Sequence, residues 1–295
     1  MTLIAVKQGR CSVFGQDHFT RSTPKAHYAA TFVPFKPAYT RSALAKHELN
    51  SRTQHSISRV QTCRSLQRAT LLPITATFWV LKGAAEHNRL GSNTYRRLNL
   101  GLMAWAAINL ALLASETSAL TSWCFSVQVA FYAATAVVGG YAWASSSGFA
   151  PTGRQVIDGF LGDVQALFNN KTFLSGLLAL LSVAAVAVGS LILNQPLTYF
   201  HPSEFRLGAG WLGKMAMRSY AANVLFAAVV MTTLKDALDR GRHTASTFKI
   251  LAKAAVATAV AEIAIFASTG CTSGIIREVV FGGIMTSYLL KPKTP

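Results

Sequence analysis

The sequence predicts an all-α, polytopic membrane protein: a bundle of about six transmembrane helices plus one amphipathic surface helix. Three observations carry that expectation. Hydrophobic residues make up 51% of the 295-residue chain and charged residues only 13%, where a soluble domain carries about 25% charged residues. Apolar runs of span length recur after residue 97. Basic residues gather in alternate connections between those runs.

The first segment, residues 1–70, is of a different kind. Lys7, Arg10, Arg21, Lys25, Lys36, Arg41, Lys46, Arg52, Arg59, Arg64 and Arg68 face only Asp17 and Glu48. Ser and Thr are plentiful, and no apolar stretch could serve as a secretory h-region. Basic, hydroxylated and acid-poor is the signature of an organelle transit peptide, disordered before removal. Scattered arginines without an amphipathic face favour a chloroplast address, with the mitochondrial inner membrane as the alternative. Without aromatic or Arg/Gly repeats, the segment gives no reason to expect nucleic acid as a partner.

The run "LLPITATFWVLKG" at 71–83 is too short to span and contains Pro73. Residues 71–97 are therefore expected to form a short interfacial or N-terminal segment. Spans follow at about 98–115, 119–143, 172–193, 210–234, 249–269 and 275–290 within a bundle over 98–290. The last is short and could be a half-span. With six crossings, one side collects Arg89, Arg96, Arg97, Arg154, Lys171, Lys235, Arg240, Arg242, Lys249, Lys253, Lys291 and Lys293. The other collects Arg206, Lys214, Arg218 and Arg277. The positive-inside rule then places both termini on the stromal side of a thylakoid or inner-envelope membrane.

Between the second and third spans, residues 154–168 repeat apolar residues at helical spacing. Val156, Ile157, Phe160, Leu161, Val164, Leu167 and Phe168 fall on one face, and Asp158 and Asp163 lie on the other. An amphipathic surface helix is expected there. Small residues four apart, at Ala136/Gly140, Ala185/Gly189 and Ala257/Ala261, predict close helix approach.

Few residues carry chemistry. The four cysteines form no CxxC pair, and no phosphate loop, GxSxG or HExxH motif occurs. His201 with Glu204 is too sparse for a metal site. The histidines after residue 70, His87, His201 and His243, all fall in connections, which argues against intramembrane haem. No cofactor is indicated; a bound pigment, held by Asn109, Gln128 or Asn223, or a bound lipid would be compatible with the sequence. The chain is not expected to be an enzyme.

Intramembrane charge is the anomaly that remains, at roughly 2.5–3.5 kcal/mol per central basic or aspartate residue. Lys253 lies near the basic end and can snorkel. Glu262 does not. If spans four and five fold about residue 241, Glu262 is level with residue 220, about 3 Å in depth from Arg218. The sequence therefore pairs Arg218 with Glu262, with Lys214 or Arg277 as secondary partners. On this evidence the expected role is a structural subunit or assembly factor of a membrane complex, surrounded by lipid and other membrane proteins or copies of itself. A small-solute or ion carrier using the Arg/Glu pair comes second.

Overall fold

A computed structural model describes residues 65–115, 123–146, 169–195 and 211–292, with isolated positions 162, 165, 167 and 168. The fold is all-α: no strand occurs among the described residues. Seven helices follow one another: α1 (Leu71–Glu86), α2 (Asn93–Ala114), α3 (Trp123–Ser146), α4 (Phe173–Asn194), α5 (Trp211–Asp239), α6 (Ser246–Thr269) and α7 (Thr272–Leu290). Helices α2 to α6 are long and apolar enough to cross a membrane. These five match the first five expected spans. The sixth, α7, is a 19-residue helix that stands outside this group because Arg277 and Glu278 lower its hydropathy. The expected transit segment up to residue 64 and most of the expected surface helix lie outside the described residues. Of the latter, Leu167 and Phe168 are helical and Phe168 is exposed.

Helix α5 is the axis of the bundle. Met217, Tyr220, Ala221, Ala222, Phe226, Val230 and Leu234 are all buried along it, and it packs chiefly on α4 and α2. Close approach explains the small residues. A Cβ on Gly189 of α4 would meet Leu225 at 2.8 Å, and one on Gly101 of α2 would meet Val229 at 2.8 Å. Of the three small-residue pairs, Ala185/Gly189 packs on α5 and Gly140 approaches Met103 of α2, whereas Ala257 is exposed. Helix α3 packs chiefly on α2, with Phe131 also against the Phe78 ring of α1, and leaves Val127, Val137 and Val138 exposed.

Residues 71–86, within the stretch expected as a short interfacial or N-terminal segment, form α1 and pack against the bundle. Pro73, Ile74, Thr77, Val80, Leu81 and Ala84 are buried and form one helical stripe, so α1 docks as an amphipathic helix does. It runs beside α6, with smaller contacts to α2 and α5. The helical turn ahead of it, residues 65–69, continues the same path. Thr258 of α6 donates to Ala69 O at 3.4 Å, and Leu66 packs with Ile192, Met217, Phe266 and Cys271. Those four residues mark the end where α4 and α6 finish and α5 begins.

At the opposite end, charges tie the elements together. Arg97 at the start of α2 lies 3.8 Å from Asp236 near the end of α5, and Arg240 lies 2.9 Å from the same carboxylate. Lys235 bonds Asp239 at 2.7 Å and Asn169 O at 3.1 Å. Lys171 reaches Asp239 O at 3.2 Å. Of the basic residues that the sequence groups on one side, Arg97, Lys171, Lys235 and Arg240 therefore share one end of the bundle; Arg154 and Lys293 lie outside the described residues.

Candidate charge cluster and cavity

Helices α6 and α7 form a tight hairpin closed by Gly270. That residue caps α6 at φ +73° in the left-handed region, where glycine escapes the Cβ penalty. Residues equally far from the turn come level: Glu262 is eight residues before Gly270, and Arg277 and Glu278 are seven and eight after it. Glycine is needed again at 274, since a Cβ there would stand 2.6 Å from the Phe266 ring.

Arg277 is the hub of the cluster. Its Nη2 donates to Glu262 Oε2 at 3.3 Å and to Tyr220 Oη at 3.2 Å. Its Nε donates to Glu278 Oε1 at 2.7 Å, and the guanidinium lies 5.3 Å from the Phe266 ring centre. Both carboxylates are deep: Glu262 is 3% and Glu278 6% exposed. The Arg277 side chain remains 36% exposed. Charge-assisted bonds of this kind are the strongest a side chain makes. Glu262 stands seven residues, or about 11 Å, from the end of α6, well inside the bundle.

The partner named second by the sequence is the one engaged. Arg277 holds Glu262, and no ion pair among the described residues joins Glu262 to Arg218. Arg218 is half-buried and its Nε has no hydrogen-bond partner; Lys214 and Lys253 are exposed. Glu262 is level with residue 220, as hairpin folding about residue 241 predicts, and Arg277 Nη2 bonds both. Residue 220 is Tyr220, which faces the cluster. Arg218, two residues back, is turned about 200° around α5. Helix α6 also contacts α5 only slightly, and packs mainly on α7 and α1.

Beside the cluster, a cavity of about 340 Å³ opens within the bundle. Leu181, Val224, Val230, Met231, Leu234 and Met285 give it an apolar body. Tyr220, Asn223, Glu262, Arg277 and Glu278 make one part of its wall polar. Of the lining residues, Ala184 on α4 and Val280 on α7 are exposed. The mouth therefore lies on the flank of the bundle, between helices, away from the helix ends. A mostly apolar cavity with a few convergent polar groups is the usual form of a small-molecule site.

A hydrogen-bonded seam borders this cavity. Trp105 Nε1 donates to Asn223 Oδ1 at 2.7 Å, and Asn223 Nδ2 donates to Thr70 Oγ1 at 2.7 Å and to Gln67 O at 3.4 Å. Gln67 Nε2 donates to Ser219 Oγ at 2.9 Å, which in turn donates to Asn109 Oδ1 at 2.9 Å. Asn109 Nδ2 returns to Trp105 O at 2.9 Å. Both buried amides that could have bound pigment are thus engaged within the protein, as buried polar groups generally are. Gln128 points outward from α3. Sequence reasoning missed Tyr220, Glu278 and this seam. The spacing of Glu262 and Arg277–Glu278 about the glycine turn was the available signal. Among the described residues no group of His, Cys, Asp or Glu could hold a metal ion. The chain matches no family model, no curated protein and no solved structure.

Proposed function

We propose that the protein is a membrane-embedded binding protein or carrier that takes a small, largely apolar solute into the cavity beside Arg277. One observation carries this reading: an apolar cavity inside the bundle ends at a buried cluster of two carboxylates, a guanidinium and a phenol. Polar groups placed this deep are expensive in lipid and mark substrate or ion paths where they occur. Glu262→Gln and Glu262→Ala separate this reading from a purely structural one. Each leaves Arg277 its short bond to Glu278, so both variants should accumulate in membranes at wild-type level while losing solute binding. Failure of both to accumulate would support a register-fixing role instead.

A structural or assembly subunit is the second reading, and α3 favours it. That helix packs one face on α2 and leaves the other outside the bundle, with Val127, Val137 and Val138 exposed. Such a face suits lipid or a partner helix. Purification in mild detergent decides it: a stoichiometric hetero-complex supports the subunit reading, and the chain alone or with its own copies supports the carrier.

The address we propose is an organelle membrane, by preference a plastid one, on the strength of the basic, acid-poor segment 1–70. The path of α1 bears on the threading. Because residues 65–86 run beside α6 towards the basic end, the chain at Ser65 and the chain at Lys291 should open to opposite faces. Cysteines introduced at 65 and 291 in a cysteine-free background test this. In sealed vesicles an impermeant maleimide should reach one from outside and the other only after permeabilisation. Labelling of both from one side would restore the even-numbered threading.

A further inference from the structure

We infer that the cavity takes a lipophilic cation: a molecule with an apolar body and an amine or ammonium end. The inference rests on the binding reading above and adds its chemical class. Charge decides it. The titratable groups lining the cavity are Tyr220, Glu262, Arg277 and Glu278. Two carboxylates thus share one guanidinium, and with both ionised the wall carries a formal charge of −1. Arg277 is already committed, with Nε on Glu278 at 2.7 Å and Nη2 divided between Glu262 and Tyr220 at 3.3 and 3.2 Å. It has the Phe266 ring against it as well. A carboxylate or phosphate ligand would have to compete with two resident carboxylates for that one cation. A monocation meets no such competition, and it brings the charge of the wall to zero. Buried charges persist only where they are paired.

The rest of the cavity sets the body of the ligand. Leu181, Val224, Val230, Met231, Leu234 and Met285 offer no hydrogen bond, so a sugar, a nucleotide or a fully hydrated ion would lose its water without replacement. The mouth between Ala184 and Val280 lies on the flank of the bundle, where a solute dissolved in the bilayer can reach it. An aliphatic or aromatic body with a charged nitrogen satisfies the body, the wall and the route together.

The test uses the full-length protein in nanodiscs, with empty nanodiscs as the control for partitioning. Three probes share one chain and differ in the head: n-octylammonium, n-octanol and n-octanoate. Equilibrium dialysis measures saturable binding. Octylammonium should bind at one site at least tenfold more tightly than either other probe. Glu278→Gln should remove that preference, while Ala227→Phe, at a lining position about two turns along α5 from Tyr220, should weaken octylammonium and octanol together. Equal affinities, or a preference for octanoate, would overturn the cationic class and leave the cavity a binding site. Absence of saturable binding by all three would overturn the class and the binding reading beneath it. An octylammonium preference that survives Glu278→Gln and Glu262→Gln alike would place the cation elsewhere and overturn the assignment.

Discussion

Arg277→Met is expected to cost the bundle several kcal/mol. Removing one partner of a buried pair costs about 3–5 kcal/mol, because the charge left behind has neither water nor a counter-ion. Here two carboxylates are left, Glu262 and Glu278, at 3% and 6% exposure. The Arg277 side chain is itself 36% exposed, so the loss should fall near the lower end of that range. Thermal unfolding in detergent, followed through tryptophan fluorescence, measures it. The triple variant Arg277→Met, Glu262→Gln, Glu278→Gln should recover most of the loss, since a neutral cluster leaves no unpaired charge. A change below about 1 kcal/mol in the single variant would mean that the cluster does not hold the α6–α7 hairpin against α5.

Asn223→Leu should release the N-terminal segment from the bundle. Asn223 joins Trp105, Thr70 and Gln67 through both ends of its amide. A leucine of similar size leaves the Trp105 N–H buried without an acceptor, a cost of about 1–3 kcal/mol. It also removes the bond that holds Thr70 against α5. Arg68 is exposed, between the buried Leu66 and Ala69. Limited trypsinolysis should therefore cut after Arg68 faster in Asn223→Leu than in the parent, with α2 to α7 intact. Adding Trp105→Phe removes the orphaned donor, so the double variant should be more stable than the two separate losses would sum to. Strict additivity, or an unchanged cleavage rate, would show that the seam does not anchor residues 65–70.

Legibility differed between the fold and the site. Apolar runs of span length mark α2 to α6 whatever surrounds them, because the cost of exposing backbone and charge to lipid is local to each run. Gly270 held a signal that went unread: the turn it makes is what lets Glu262 meet Arg277 fifteen residues later in the chain. Helix α1 was obscured by its length: 16 residues with a proline near the start fall short of a span, and nothing local shows that α6 offers it a face. Tyr220 was obscured by direction. Hairpin arithmetic yields height along the axis and nothing about rotation, and rotation chose the tyrosine over Arg218.

By itself, then, the sequence determined the all-α membrane class, the five long apolar helices and the gathering of basic residues at one end. Each follows from composition and period along a single helix. Tertiary structure alone decided that Arg277 serves Glu262 and Glu278 together, that Asn223 and Trp105 lock residues 67–70 in place, and that a cavity remains beside them. Those outcomes depend on which faces of α1, α5, α6 and α7 meet. Helices packed at close approach, as at Gly189 and Gly274, fix their rotation through side-chain fit, and the hydropathy of the separate helices does not contain that fit.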